Sequence, residues 1–315
     1  MIVVDRVHKS FGAFHAVTDL SFQVPAGSVC GFLGPNGAGK TTTIRMLAGA
    51  IRPTAGRLLL SGLDVTKDDR AARRWLGYLP ETNPLPAELT VGEYLKFRCD
   101  LWGIERAARR GAIECALERC DLNAVRNKLL GALSRGFRQR AGLAAALVSA
   151  PSVIILDEPG AGLDPAAAMS FRELVRTLRG DHTVLFSSHN LAEVEATCDH
   201  LVLIGGGRLI ASGSATDLRR IGAVGVRIEI EATGCDLNAL RAIVGVIAVR
   251  TRSLEAGWSR IDVEVDGESA SALTATIGES LSAARASVRR FERVNPSLEE
   301  IFQRLVPVAG AEDPA

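Results

Sequence analysis

The segment from Gly34 to Thr41 constrains the fold of this chain more than any other. Its sequence, Gly-Pro-Asn-Gly-Ala-Gly-Lys-Thr, fits the pattern G-x-x-x-x-G-K-[ST] in full. It follows an apolar run, Val29–Leu33, and precedes a helical pattern, Thr41–Gly49, which is the context that a phosphate-binding loop requires. Glycines let the backbone wrap around a phosphate, and the following helix adds the positive end of its dipole. We therefore predict a phosphate site in an α/β domain.

Two positions of this loop carry the chemistry. Lys40 is expected to reach the β- and γ-phosphates of a nucleotide and to act in catalysis, and the Thr41 hydroxyl is expected to bind Mg²⁺. The nucleotide-binding residues predicted from the loop are Gly34, Pro35, Asn36, Gly37, Ala38, Gly39, Lys40, Thr41 and Thr42.

Two further apolar runs end in polar groups. Val153–Leu156 is followed by Asp157 and Glu158, and Thr183–Ser187 is followed closely by His189. Short apolar runs are typical of buried parallel strands, whose carboxyl ends bind ligands in open α/β sheets. Buried carboxylates are costly unless they bind something. We expect Asp157 to contact Mg²⁺, Glu158 to be the general base that polarises water, and His189 to be a third catalytic group.

Length and composition limit the remaining choices. The 315 residues exceed a typical domain of about 100–200 residues, so a second domain is expected. Lys and Arg total 37 against 36 Asp and Glu, which gives no electrostatic reason to expect nucleic-acid or anionic-membrane binding. The apolar stretches are shorter than the roughly 20 residues of a membrane span, and residues 1–10 lack a signal-peptide core. We expect a cytosolic chain whose six scattered cysteines have no metal or redox role.

Strand and helix patterns predict domains at 1–218 and 219–315. In the first, the alternating runs Ile2–Val7 and Leu20–Val24 predict antiparallel strands that flank a mostly parallel sheet. The second is predicted to be a small α+β domain. Its expected elements are the strands Val224–Ile230, Val244–Arg250 and Arg260–Val265 and the helices Ala270–Ala284 and Ser297–Leu305, the last with a capping box from Ser297 to Glu300.

The order of these motifs resembles the ATP-binding cassette family, the nucleotide-binding subunits of ABC transporters. The resemblance covers about Ile2–Leu218. Gly34–Thr41 resembles the Walker A loop, Val153–Glu158 resembles Walker B with its catalytic Glu, and His189 resembles the switch histidine. The segment Leu133–Arg140, Leu-Ser-Arg-Gly-Phe-Arg-Gln-Arg, resembles the family signature, which is usually Leu-Ser-Gly-Gly-Gln.

The resemblance implies a P-loop NTPase cassette that uses ATP and Mg²⁺, with an antiparallel β subdomain and a helical subdomain beside the central sheet. It also implies a head-to-tail dimer of two copies. In that dimer Ser134, Arg135 and Gly136 would hold the γ-phosphate of the ATP bound to the second copy. Ser134 is also a good helix N-cap by itself. Asp164, in Ala161–Pro165, resembles a residue of the D-loop near the same nucleotide.

Two positions depart from the family pattern. Arg135 replaces the first Gly of the signature, and Glu81 stands where the family has a Gln that couples the γ-phosphate site to the transporter. Glu81 can still ligate Mg²⁺, but when ionised it adds negative charge beside phosphates and cannot donate a hydrogen bond. Together with the run Tyr78–Leu85, the signature resembles the exporter branch that serves ABC-2-type permeases, including the gliding-motility-associated subunits.

Two sets of aromatic residues are open to more than one interpretation. Phe11 matches the family position that stacks on adenine, although Phe14 is a nearby competitor and core packing is an alternative. The region 88–103 resembles the part that docks a short helix of the membrane subunit. Its candidate groove residues, which are equally well core residues, are Leu85, Tyr94, Phe97 and Trp102.

The predicted function is that of an ATPase subunit energising an ABC-2-type export permease on a separate chain, at the inner face of the cell membrane, without direct membrane insertion or nucleic-acid contact. ATP binding would close the dimer and hydrolysis would reopen it. Two alternatives are a soluble cassette ATPase that acts on ribosomes or DNA, and a regulatory nucleotide-binding protein without turnover.

Overall fold

The computed structural model describes residues 1–188, 190–222, 226–266, 269–294 and 300–302. The chain divides into two compact units, Met1–Ala215 and Thr216–Ala315.

The strands are β1 (Ile2–Phe11), β2 (Phe14–Val24), β3 (Val29–Leu33), β4 (Ala55–Leu60), β5 (Leu63–Asp64), β6 (Leu76–Leu79), β7 (Val153–Leu156), β8 (Thr183–Ser188), β9 (His200–Gly205), β10 (Arg208–Gly213), β11 (Val226–Thr233), β12 (Val246–Ser253), β13 (Ser259–Val265) and β14 (Ser287–Val294). The α-helices are α1 (Lys40–Leu47), α2 (Asp69–Arg73), α3 (Val91–Leu101), α4 (Arg106–Arg119), α5 (Arg135–Leu147), α6 (Pro165–Thr177), α7 (Leu191–Thr197), α8 (Ala215–Gly222), α9 (Leu237–Arg241) and α10 (Ala270–Ala283).

A six-stranded sheet forms the centre of the first unit. Its strand order is β10-β9-β3-β8-β7-β6. The five strands from β9 to β6 run parallel, and β10 is antiparallel to β9. Every residue of β3, β7 and β8 is buried. A parallel strand covered on both faces cannot alternate polar and apolar residues, which is why these strands are continuous apolar runs in the sequence. The predicted α/β class and mostly parallel sheet are confirmed.

The register of this sheet aligns the carboxyl ends of its strands. Leu33 at the end of β3 pairs with Ser188, the last residue of β8. Leu156 at the end of β7 pairs with Leu79, the last residue of β6, and with Phe186 in β8. The segments that follow β3, β6, β7 and β8 therefore start at one edge of the sheet.

The second sheet of this unit is antiparallel, with the order β2-β1-β4-β5. Ile2 pairs with Val24 and Val7 pairs with Leu20, so the two predicted strands are paired, and both extend further to form a hairpin. The apolar faces of the two sheets share one core, in which the rings of Phe22 and Phe32 lie 5.4 Å apart. The hairpin is thus fixed by packing against the strand that precedes the phosphate loop.

A helical region, α3 to α5, lies between β6 and β7 along the chain. Thr90 caps α3 through a capping box with Glu93, in which each side chain accepts a hydrogen bond from the other residue's backbone N–H. Helix α5 begins at Arg135 and packs against β6. Among the described residues, no helix is both long enough and apolar enough to cross a membrane.

The second unit contains an antiparallel sheet, β12-β13-β11-β14, with α9 and α10. Its core includes Ile228 of β11, Ile261 and Val263 of β13, and Ile277 of α10. The predicted strands and the helix near residues 270–284 form, but β12 begins at Val246, after an exposed Val244. The predicted capping box at Ser297 lies outside the described residues.

Two elements of this unit were not predicted. Strand β14, Ser-Val-Arg-Arg-Phe-Glu-Arg-Val, is exposed at seven of its eight positions. It lacks the apolar alternation that marks a half-buried strand, and only its pairing with β11 defines it. Helix α9 has five residues and starts at the N-cap Asp236, so it is too short to produce a helical period.

The close contact between β6 and α5 gives a test of this packing. A Cβ added at Gly77 in β6 would lie 2.7 Å from the backbone carbonyl oxygen of Ala146 in α5. The helix would have to move away from the sheet, so we expect Gly77→Ala to lower the free energy of unfolding by about 1–3 kcal/mol. Urea denaturation of the purified chain measures this change.

Gly111 supplies the matched control. It lies within α4, where an added Cβ meets nothing within 4 Å. Gly111→Ala should raise the free energy of unfolding by about 0.5–1 kcal/mol, because alanine has the higher helix propensity. Urea midpoints that shift in the same direction for both variants would contradict the packing described here.

Candidate nucleotide site

The predicted phosphate loop connects β3 to α1 with a backbone that only glycine fits at two points. Gly39, the N-cap of α1, has φ +98°, and an added Cβ would lie 2.8 Å from the carbonyl oxygen of Ala16. A Cβ at Gly34 would lie 2.5 Å from the carbonyl oxygen of Ile204. The loop is therefore held between the β1–β2 hairpin and the end of β9, and its glycines are required by these contacts as well as by any ligand.

Lys40 holds its ammonium group inside this loop. Its Nζ donates to the carbonyl oxygens of Gly34 at 2.6 Å and Pro35 at 3.3 Å, and lies 3.9 Å from Glu158 Oε1. The residue is 8% exposed. Burial lowers the pKa of Lys40, and the carboxylates of Glu158 and Asp157 oppose that shift. A cation is thus in place among backbone groups at a helix N-terminus, where anions are favoured.

The acidic pair lies directly after β7. Asp157 is 3% exposed, and its Oδ1 accepts a hydrogen bond from Ser187 Oγ at 2.9 Å. Burial raises the pKa of Asp157, the bond from Ser187 opposes the shift, and the neighbouring charges of Glu81 and Glu158 add to it. The backbone N–H of Glu158 donates to the same Ser187 hydroxyl at 2.8 Å.

Glu158 has φ +44°, a left-handed conformation that costs a non-glycine residue of order 1–3 kcal/mol. Such strain persists only where neighbouring structure enforces it. Ser187 is part of that structure, because its hydroxyl bonds both the side chain of Asp157 and the backbone of Glu158. Sequence analysis missed this role of Ser187. The available signal was a polar residue near the end of a strand that is otherwise apolar.

These groups surround a cavity of about 400 Å³, which we name the phosphate cavity. This volume is in the range of small-molecule sites. Its lining residues are Phe14, Ala16, Pro35, Asn36, Gly37, Gly39, Lys40, Thr41, Thr42, Glu81, Glu158 and Ala161. The structure thus brings together seven of the nine predicted loop residues, the predicted base and Glu81, whereas Gly34 and Ala38 are not among the lining residues. Asp157 is buried behind this lining, and His189 lies outside the described residues.

The aromatic residue at this cavity is Phe14, and the structure does not bring Phe11 into it. Phe11 pairs with Phe14 across the end of the β1–β2 hairpin. It is 51% exposed and carries the ammonium of Lys9 at 4.8 Å from its ring centroid, so it is not a core residue. Phe14 is 65% exposed. The competitor considered for the adenine position is therefore the one that lines the phosphate cavity.

The predicted signature residues lie outside the phosphate cavity. Ser134 is the N-cap of α5 and accepts a hydrogen bond from the backbone N–H of Phe137 at 3.4 Å. Asp164 is the N-cap of α6 and accepts one from the backbone N–H of Ala167 at 2.9 Å. Arg135 and Gly136 form the first turn of α5. The chain therefore presents a capped helix N-terminus whose residues do not reach its own phosphate cavity.

A second cavity, of about 350 Å³, adjoins this helix start, and we name it the signature cavity. It is lined by Glu81, Thr82, Asn83, Arg135, Arg138 and Gln139. Asn83 fastens the segment after β6 to α5, because its Nδ2 donates to the carbonyl oxygen of Arg138 at 2.9 Å and to Gln139 Oε1 at 3.0 Å.

The oxygen donors of Thr41, Asp157 and Glu81 suit a hard cation such as Mg²⁺, which keeps several waters and takes few protein ligands. Within the described part of the chain, no cluster of three or more His, Cys, Asp or Glu side chains would hold a metal by itself. This donor set fits a cation that is shared between protein and nucleotide.

Sequence comparison connects this geometry to known proteins. A family model described as ABC transporter matches residues 17–161. Nod factor export ATP-binding protein I of Rhizobium etli is 34% identical over 306 residues, which cover 95% of this chain and 91% of that protein. ABC transporter A family member 1 of Dictyostelium discoideum is 35% identical over 218 residues, which cover 69% of this chain but only 25% of that protein.

Solved structures of ABC transporter subunits also match this chain. The structure of CbiO1 from Clostridium perfringens, described as part of the ABC transporter complex CbiONQ, matches with a TM-score of 0.64 at 25% identity over 70% of this chain and 94% of that one. The dimeric structure of MJ0796, a bacterial ABC transporter cassette, has the same fold, with a TM-score of 0.61 at 21% identity over 68% of this chain and 98% of that one. The chain therefore belongs to the ABC transporter ATP-binding family, and it is an ATPase.

The burial of Asp157 makes a prediction about stability. Its pKa is raised in the folded protein, so the ionised carboxylate costs folding free energy at every pH above both the unfolded value, about 4, and the folded value. Asp157→Asn keeps the acceptor for Ser187 and removes the buried charge. We expect this variant, without nucleotide, to have a higher urea midpoint than the wild type at pH 7.5.

The advantage should shrink as the pH falls towards about 4, where Asp157 of the wild type becomes protonated in both states. Urea midpoints of the two proteins between pH 4 and pH 7.5 give the comparison. A lower midpoint for the variant at pH 7.5, or a difference that does not change with pH, would show that the ionised form is favoured by the fold.

Proposed function

We propose that this chain is the ATP-hydrolysing subunit of an exporter whose membrane-spanning part is an ABC-2-type permease on a separate chain. One observation carries this proposal: Ser134, Arg135 and Gly136 at the capped start of α5 do not line the phosphate cavity of their own chain. In a head-to-tail arrangement of two copies, each copy places the start of its α5 at the nucleotide that is bound in the phosphate cavity of the other copy. The dimeric structure of MJ0796 supports this arrangement.

Within one copy, the roles follow from position. Lys40 neutralises the β- and γ-phosphates, the N–H groups of the loop bind their oxygens, and Phe14 or Phe11 stacks on the adenine. Glu158 orients and polarises the attacking water, and its strained backbone is held by Ser187. For His189, which lies outside the described residues, a role at the γ-phosphate is proposed from the family resemblance alone. A bound Mg²⁺, held by Thr41, Asp157 and Glu81, supplies positive charge to the phosphates.

Across the dimer, the start of α5 completes the site. Ser134, Arg135 and Gly136 face the γ-phosphate of the partner copy's ATP, and Asp164 orders the start of α6 beside them. The anion is favoured there by the helix dipole and free backbone N–H groups. ATP then closes the dimer because it contacts both copies, and its hydrolysis removes the contact that kept the copies together.

A groove beside α3 is the proposed docking site for the permease. A cavity of about 310 Å³ is lined by residues that include Tyr94, Trp102 and Arg98. Tyr94 is buried, whereas Phe97 on the same helix is 47% exposed. Trp102 Nε1 and Arg98 Nε are buried donors without an acceptor among the described residues. An unmade hydrogen bond of this kind costs about 1–3 kcal/mol, which a partner's acceptor would recover.

The direction of transport is proposed from the relatives. Proteins named Nod factor export ATP-binding protein I match this chain over most of its length. Their names support export, and the inner face of the cell membrane is the proposed location, reached through the permease.

The catalytic base gives the sharpest test of this mechanism. We expect Glu158→Gln to abolish multiple turnover and to trap a dimer that retains ATP, because the amide cannot accept the proton of the attacking water. Glu81→Gln should retain multiple turnover, since an amide oxygen still binds a cation. Phosphate release and gel filtration with ATP measure both properties. Phosphate release by the Glu158→Gln variant at the wild-type rate would refute the assignment of the base.

Membrane association tests the proposed partner. A tagged chain expressed in its own cells should fractionate with membranes, and Phe97→Asp should lower the bound fraction by at least about fivefold if Phe97 is a central contact. Val244→Asp, at a position 91% exposed in the second unit, is the matched control and should remain bound. A wild-type chain that stays in the soluble fraction at every salt concentration would favour the ribosome- or DNA-directed alternative.

A further inference from the structure

Glu81 is the one residue that lines both the phosphate cavity and the signature cavity as defined above. It follows β6 by two positions and is exposed. Glu81 therefore borders both the space around Lys40 and the space around the start of α5, and a charge on it acts on groups in both cavities.

Arg135 brings a cation to the other side of the signature cavity. Of the two arginines that line it, Arg138 is already engaged, because its Nη1 donates to the carbonyl oxygen of Leu133 at 2.6 Å. The guanidinium of Arg135 forms no hydrogen bond or ion pair with any other described residue. Its guanidinium lies over the backbone of Gly162, where an added Cβ would be 2.5 Å from Arg135 Nη1. Gly162 thus leaves room for this side chain.

The phosphate cavity has too few positive groups of its own. Glu81 and Glu158 line it, Asp157 lies behind it, and the pKa of Asp157 is raised in part by the charges of those two glutamates. Lys40 is the sole cationic side chain among the described lining residues. A triphosphate adds further negative charge. An ionised Glu81 therefore opposes nucleotide binding to the extent that a bound Mg²⁺ would not already offset its charge.

Asn83 keeps these two charges in a fixed relation. It follows Glu81 by two residues, and its amide is bonded to the backbone of Arg138 and the side chain of Gln139 in α5. A Cβ at Gly142 would lie 2.5 Å from Asn83 Nδ2, so α5 and the segment after β6 are in close contact. These contacts hold the segment that carries Glu81 against the helix that begins with Arg135.

We propose that Glu81 and Arg135 form a matched charge pair across the signature cavity, in which Arg135 offsets the carboxylate that Glu81 presents to the nucleotide. The proposal rests on the proposed function, since it deepens the role of the signature residues. In this arrangement Arg135 is a positioning residue for the chain's own nucleotide, in addition to its place at the partner's. The pair connects the phosphate cavity of one copy to the helix that acts on the other.

A double-mutant cycle tests the pair. In the full-length chain, Arg135→Gln should raise the KM for Mg·ATP by about fivefold or more, with a smaller change in kcat, because Glu81 is left unbalanced. In the Glu81→Gln background, the same change should raise KM by a clearly smaller factor, because only the contact of Arg135 with the partner copy's nucleotide is then lost. Arg135→Lys, which keeps the charge, should raise KM less than Arg135→Gln does.

Ionic strength and a control variant separate this effect from a structural one. The KM ratio of Arg135→Gln to wild type should fall as salt is raised, since screening weakens interactions between solvent-accessible charges. Arg110→Gln removes the same charge from the exposed face of α4 and should leave KM unchanged at each salt concentration.

Two results would overturn the pair. One is an Arg135→Gln effect on KM of equal size with and without Glu81, which would mean that Arg135 acts on nucleotide independently. The other is no effect on KM in either background. Failure of the proposed function shows in a different measurement: a chain that never fractionates with membranes would refute the permease partner, while its ATP hydrolysis, and therefore the cycle, could still be measured.

Discussion

The functional site depends on the hydrogen-bond register of one parallel sheet. Leu33 pairs with Ser188, and Leu156 pairs with Leu79, so four strands end at the same edge. The phosphate loop, the acidic pair and the segment that carries Glu81 each start within two residues of those ends. Side chains alternate between the faces of a strand, so a slip of one residue in β7 would turn its buried residues to the opposite face and displace the carboxylates that follow. The core that fixes the register is therefore also what positions the site.

This arrangement buries opposite charges before any nucleotide arrives. Lys40 and Asp157 are both less than a tenth exposed. Burial lowers the pKa of Lys40 and raises the pKa of Asp157, so it favours the neutral form of each side chain. Hydrogen bonds from Ser187 and to the loop carbonyls recover part of the cost. Glu158 adds backbone strain. The site is thus less stable than it would be without these buried charges and this strain, and a cation bound together with a triphosphate would offset the carboxylates. Such preorganisation is what allows charge to develop in a transition state without rearrangement of the protein.

Local signals in the sequence were sufficient for the three central strands β3, β7 and β8 and for the phosphate loop, but not for β6 and β9. Both depend on short-range patterns: apolar runs for buried strands, and glycines with Lys40 at a strand-to-helix turn. The exposed strand β14 lacked such a pattern, and so did the role of Ser187, which exists only because β7 and β8 are neighbours in space. The choice between Phe11 and Phe14 was equally inaccessible, since it depends on how the end of the β1–β2 hairpin faces the loop. Residues far apart in sequence acquire such roles only through tertiary contacts.

The same reasoning applies to the two positions that depart from the family pattern. Considered separately along the chain, Glu81 weakens a phosphate site by adding negative charge, and Arg135 crowds a helix start that usually begins with glycine. They are 54 positions apart in the numbering of the chain, yet they line one cavity, and Gly162 leaves the space that Arg135 occupies. The opposite charges of these two exposed side chains attract each other, and solvent and salt screen that attraction. Each departure therefore reduces the electrostatic cost of the other. A change at one position alters the contribution of the other to the free energy of nucleotide binding.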